Sequence, residues 1–185
     1  MFYRLKVAGL ERDLELFPVS KDLSIAAFIT LGDAELTVAC ARELLAKAPA
    51  FDYMLTAEAK SIPLIHEMAR QCGAEKYFVA RKKVKVYMGK PLEVEVRSIT
   101  TAGVQKFYLA EGDAKLLKGK RVLIVDDVIS TGSSLKALED LAAAAGAEVC
   151  GKMAVLAEGD AAKRDDILFL EPLPLFSADG KPFGA

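Results

Sequence analysis

VLIVDDVISTGSSL, from Val122 to Leu135, begins as an unbroken apolar run, meets two acids, and passes through small hydroxylated residues into a helical pattern. With Arg121 before it and no polar alternation within it, the run to Val125 reads as a central parallel strand buried on both faces. Asp126 and Asp127 then end the strand, and open α/β sheets take their ligands just outside the C-terminal ends of strands. Leu135, Leu138, Leu141 and Ala145 mark the following helix, which Gly146 closes. Between strand and helix, Ser130, Thr131, Gly132, Ser133 and Ser134 direct backbone N–H groups and hydroxyls at one spot, backed by the positive end of a helix dipole. Such a loop accepts an anion, most simply a phosphate monoester. It lacks the GxxxxGK of a nucleotide-binding P-loop and the GxGxxG of a dinucleotide fold.

Outward from this stretch, strand and helix alternate. Val149 to Leu156 reads as the next strand. Upstream, Asp33 is placed to cap a helix from about Ala34 to Lys47, which stops before Pro49. FDYMLT is a short buried-strand candidate, and Ile62, Ile65, Met68, Ala69 and Cys72 recur at helical spacing, with Pro63 in the first turn and Gly73 as the stop. YFVA, Tyr77 to Ala80, is a further strand, and Leu92, Val94 and Val96 alternate with charged residues as in a half-exposed strand. The pattern predicts a parallel α/β sheet with helices on both faces. The first 30 or so residues and the ending EPLPLFSADGKPFGA do not fit the alternation and are expected to pair as a small cap at one sheet edge.

The chain has 185 residues, within the size of one hydrophobic core, so a single domain is expected over 1–185, with the cap from about 1–33 and 170–185. Hydrophobic residues make up 52% and charged residues 28%, which excludes a disordered or low-complexity chain. Twenty-five basic residues against 26 acidic ones argue against a nucleic-acid partner that reads phosphates without regard to sequence. No apolar run reaches the roughly 18 to 20 residues of a membrane span, and no secretory signal is visible, so a cytoplasmic protein with no membrane partner is expected. Cys40, Cys72 and Cys150 are far apart and form no CxxC pair, which suggests neither a disulfide framework nor a zinc site. The single histidine, His66, excludes a multi-His metal site and reads as a polar residue on a helix.

Carboxylates beside a phosphate cradle repel the ligand unless they bind sugar hydroxyls or a divalent cation, and ionised Asp is an acceptor suited to both. At this point the stretch resembles the PRPP-binding signature of the type I phosphoribosyltransferases. The resemblance implies that Asp126 and Asp127 hold the ribose hydroxyls and that Ser130 through Ser134 cradle the 5-phosphate. TAEAKSIPL is similar to the pyrophosphate loop of purine-using members, implicating Glu58, Ala59, Lys60 and Ser61; Ser61 stands where the family usually has Gly. FVARKKVKVYMGKP resembles the basic entry to the family's flexible loop, with Arg81, Lys82 and Lys83 meeting pyrophosphate, and VRSITTAGVQKFYL resembles the loop itself. LSIAAFITLGD is similar to the base-binding hood, making Leu23, Phe28, Ile29 and Thr30 the implied base contacts.

The family further implies a type I core with a small hood built by the N-terminal segment and C-terminal tail, and transfer of a phosphoribosyl group to a purine. It also implies Mg2+ held through substrate and water, with Asp126 and Asp127 as the protein groups that could touch it, and a homodimer. Adenine is the expected base. The Asn and Lys through which the xanthine enzymes meet their base are missing at Thr30 and near Gly159, and a buried 2-oxo group without a donor binds poorly. Three other readings compete: a xanthine or guanine enzyme, a non-catalytic PRPP-sensing regulator, and a phosphatase with Asp126 as nucleophile. The last leaves the small-residue loop and the basic run unexplained.

Overall fold

The structure is a computed structural model describing residues 1–97 and 104–183. It opens with β1 (Phe2–Val7), β2 (Leu10–Pro18) and β3 (Ser24–Ala26), which form an antiparallel sheet in that order. In β1, Leu5 and Val7 are buried while Arg4 and Lys6 face solvent, the period-two pattern of a sheet packed on one side. Next come α1 (Ala34–Lys47), β4 (Tyr53–Ala57), α2 (Ile62–Cys72) and β5 (Phe78–Ala80). The Asp33 carboxylate accepts from the Leu36 N–H at 3.0 Å and starts α1; Gly73, at φ +71°, ends α2 in a left-handed conformation that costs glycine little.

A hairpin follows, β6 (Leu92–Arg97) paired antiparallel with β7 (Val104–Leu109). Residues 98–103 between them, which hold the middle of the segment likened to a flexible loop, lie outside the described residues. Then come α3 (Glu111–Leu117), β8 (Arg121–Ile129), α4 (Ser133–Ala144), β9 (Glu148–Glu158) and β10 (Leu168–Leu173). Five strands make a parallel sheet in the order β10-β9-β8-β4-β5. Alternate residues of β8 serve opposite cores: Leu123 and Val125 pack with α1 and α2, while Val122 and Ile124 pack with α4. Helices therefore cover both faces.

The sequence reading differs from the structure most at two boundaries. β8 does not stop at the acids but continues to Ile129, because the long β9 keeps pairing with it at Asp126–Ala154 and Ile129–Ala157. The Pro-rich ending does not belong wholly to the cap. Residues up to Leu173 form the edge strand β10, where Pro172 is tolerated because an edge strand pairs on one side only. Beyond it the tail turns to the N-terminal sheet, and Ser24 and Phe176 exchange backbone hydrogen bonds of 2.7 and 2.9 Å. Among the described residues no helix is long and apolar enough to cross a membrane.

Candidate active site

The chain leaves β8 through α4 towards β9 and leaves β4 through α2 towards β5, so the two crossovers diverge from adjacent strands. This is the topological switch point at which open α/β sheets form a crevice. Pairing between β4 and β8 ends at Leu55–Ile124, before the acids, and the turn Glu58–Ser61 occupies the gap that opens. The Glu58–Ala59 peptide in that turn is cis.

Asp126 and Asp127 are 8% and 6% exposed, and Ser61 Oγ lies 2.6 Å from Asp126 Oδ1 and 3.1 Å from Asp127 Oδ1. Burial, reinforced by the neighbouring Asp127 carboxylate, pushes the Asp126 carboxyl up to about 7. Asp127 Oδ2 is buried without a hydrogen-bond partner among the described residues, and so is Thr56 Oγ1 at the end of the adjoining strand. An orphaned buried carboxylate oxygen calls for a donor or a cation from outside the chain. Among the described residues no cluster of three His, Cys, Asp or Glu side chains could hold a metal by itself. A divalent ion here fits the two carboxylates only if ligand oxygens or water complete its shell, as Mg2+ favours.

Two adjoining cavities share Asp126, Val128, Ser130 and Ser134 in their walls. The smaller, about 220 Å3, is enclosed by the loop Ser130–Leu135 and by Gln105 of β7. Thr131 and Ser133 hydroxyls lie 3.0 Å apart there, at the start of α4, whose first N–H groups have no helical acceptor. Gly132 precedes the helix at φ +79°. The larger cavity, about 420 Å3, is bounded by the turn Glu58–Ser61, by Lys82, and on its far side by Ile25 to Ile29, Leu173 and Glu158.

The structure thus gathers most, not all, of the residues singled out in the sequence. Arg81 lies beside the site with its guanidinium engaged, Nε donating to Glu58 Oε2 at 2.8 Å, while the Lys82 N–H reaches the same oxygen at 3.1 Å. Burial opposes ionisation of Glu58, but these two donors outweigh it and hold the carboxyl below its ordinary range. Lys83 is exposed and lines neither cavity. Phe28 is 3% exposed and belongs to the core while also lining the larger cavity, and Ile29, which lines it too, is exposed.

Leu23 does not reach the cavity. Its carbonyl accepts from the Val19 and Ser20 N–H groups and closes the turn before β3. Thr30 is also outside the cavity, with Oγ1 donating to the Lys60 carbonyl at 3.0 Å and clamping the N-terminal segment onto the turn. Ser61 takes φ −80° and ψ −4°, open to any L-residue, so its backbone does not require the glycine that the resemblance led one to expect. His66 sits against Tyr77 on α2, outside both cavities. Sequence reasoning missed Ile25, Gln105, Glu158 and Leu173; only Glu158 had a signal, as an acid two residues past the strand end read at Leu156, whereas the strand in fact runs on to Glu158 itself.

Comparison with known proteins agrees with this geometry. The chain is 34% identical over 128 residues to a hypoxanthine/guanine phosphoribosyltransferase of Methanosarcina mazei, covering 69% of this chain and 64% of that one. It is 34% identical over 112 residues to the Methanothrix soehngenii protein of the same name, covering 60% and 55%. The match thus spans less than two thirds of the length of these curated relatives. Among solved structures, adenine phosphoribosyltransferase from Thermoanaerobacter pseudethanolicus shares the fold with a TM-score of 0.68 at 22% identity, covering 86% of this chain and 95% of that one. The Saccharomyces cerevisiae adenine phosphoribosyltransferase, solved with adenine, gives 0.67 at 21% identity over 85% and 93%. A family model described as the phosphoribosyl transferase domain matches residues 41–172, from within α1 to within β10; it takes in nearly the whole parallel sheet, and the chain belongs to that family.

Proposed function

We propose that this protein transfers a 5-phosphoribosyl group from PRPP to a purine ring nitrogen and releases pyrophosphate. The observation that carries the reading is the buried acid pair, with Asp127 Oδ2 unpartnered among the described residues, set between a hydroxyl-lined cavity at a helix start and a larger cavity with an apolar far wall. The first suits a phosphate, the acids suit ribose hydroxyls, and the apolar wall suits a flat base. As the anomeric carbon becomes cationic, Lys82 and Arg81 offset the charge on the departing pyrophosphate, and the walls hold the base in line. Bound Mg2+ would neutralise pyrophosphate oxygens, with Asp126 and Asp127 the protein groups able to touch it. The protein would act as a homodimer, as the family resemblance implies.

Adenine is the proposed base. Glu158 stands in the wall of the larger cavity, with no hydrogen bond to its carboxylate among the described residues, and an ionised carboxylate accepts from an exocyclic amino group but cannot donate to a 6-oxo group. The relatives named for hypoxanthine and guanine favour a second reading, a 6-oxopurine substrate. Pyrophosphate release from PRPP and Mg2+ against adenine, hypoxanthine, guanine and xanthine decides between them. Turnover confined to adenine is expected; turnover on hypoxanthine or guanine alone selects the second reading. PRPP binding without turnover on any base would overturn catalysis in favour of a sensor.

A further inference from the structure

Ser61 is 1% exposed and belongs to two parts of the site at once. It closes the turn that begins at Glu58, and its carbonyl accepts from the Ile65 N–H at 3.0 Å in the first turn of α2. Thr30 Oγ1 secures the preceding carbonyl, that of Lys60. Across the gap between β4 and β8, the Ser61 hydroxyl accepts from the Asp127 N–H at 2.9 Å and has Asp126 Oδ1 at 2.6 Å. A hydroxyl has one proton to give, and the shorter distance directs it to Asp126 rather than to Asp127 Oδ1 at 3.1 Å.

Two buried carboxylates side by side repel each other once both are ionised, as they are when the pair accepts from sugar hydroxyls, so their spacing needs an external brace. The Asp127 N–H has a second acceptor in Asp126 Oδ1, also at 2.9 Å, and stays satisfied without the hydroxyl. When the hydroxyl is removed, Asp126 Oδ1 loses the shorter of its two donors and keeps only the N–H of the adjacent residue, which moves with the same strand and braces nothing across the gap.

We propose that Ser61 is a positioning residue for the ribose: its hydroxyl fixes the Asp126 carboxylate at the spacing from Asp127 in which the pair receives sugar hydroxyls. The inference rests on the PRPP reading above and adds to it a residue that acts through the acids rather than on the leaving group. It distinguishes ligands that carry the sugar from one that does not.

The test is calorimetric titration of the full chain with PRPP, ribose 5-phosphate and inorganic pyrophosphate, each with Mg2+, for wild type, Ser61→Ala and Ser61→Thr. Ser61→Ala is expected to raise the Kd of ribose 5-phosphate and of PRPP about tenfold, equivalent to about 1.4 kcal/mol, and to change that of pyrophosphate less than threefold. Ser61→Thr, which keeps the hydroxyl, is expected to stay within threefold of wild type for all three. An Ala variant that binds ribose 5-phosphate as well as wild type does, or that loses pyrophosphate equally, overturns the proposal; so does a Thr variant as weak as Ala. Wild type that binds neither PRPP nor ribose 5-phosphate overturns both this inference and the functional reading, which separates that failure from the first. If Ser61→Ala melts before titration, Ser61→Gly, which also lacks the hydroxyl and which the backbone at φ −80° and ψ −4° accepts, takes its place with the same two outcomes.

Discussion

Asp126 is buried beside a second carboxylate, and its readiness to bind is set against the stability of the fold. An unfolded aspartate ionises near pH 4, whereas burial first and Asp127 second push the folded Asp126 carboxyl up to about 7. The folded chain therefore keeps a proton that the unfolded chain has released. The contribution of this group to stability is fully present below about pH 4 and is lost as pH rises through about 7. Asp126→Asn, which cannot ionise, is expected to gain on wild type steadily between pH 4 and pH 8 in urea melts run with a chelator. A difference that does not change with pH would refute the account. The acids themselves were legible because two carboxylates closing an apolar run have few structural uses. The bond from Ser61 to them was not, because it joins positions 65 residues apart in the chain.

At the scale of elements, the loop into α4 depends on one backbone conformation. Gly132 sits at φ +79°, and a Cβ there would stand 2.9 Å from Nη1 of Arg164, whose guanidinium is tied to Asp166 by two hydrogen bonds of 2.8 Å. Gly132→Ala is expected to cost about 1–2 kcal/mol from the left-handed conformation alone. Chemical denaturation should show that loss, and phosphate-bearing ligands should bind more weakly. Adding Arg164→Ala should recover little of it, since backbone rather than the flexible guanidinium sets the cost. Elements with strong local signals were read closely: α1 begins after the Asp33 cap and ends before Pro49, as the sequence indicated. α3 passed unnoticed because it has seven residues, no side-chain cap and one buried residue, Leu117. The strand β10 was obscured by Pro172 and Pro174, whose discouragement an edge position overrides.

Taken whole, the N-terminal sheet and the parallel sheet share one core, in which Leu5, Val7 and Leu14 pack with Leu123, Val125 and Phe176. Phe176 is 1% exposed, its ring 5.1 Å from that of Tyr3, and its backbone holds Ser24. Phe176→Ala is expected to cost about 3–5 kcal/mol. Because the core is continuous, near-ultraviolet and far-ultraviolet circular dichroism should report one coincident melt; a separate early transition of the tyrosine signal that Tyr3→Phe removes would show the N-terminal sheet to be independent. The period-two pattern in β1 was present in the sequence, but nothing local states that such a strand folds back over a distant sheet edge. The larger cavity is closed by chain from two sources: Ile25 to Ile29 precede the stretch matched by the family model, whereas the acids and the small-residue loop lie within it. The two sources meet through the core they share, so a side chain exchanged at Ile25 or Ile29 reshapes the wall while the strand and loop that carry the acids keep their places, as a jaw can be refaced without moving the vice that holds it.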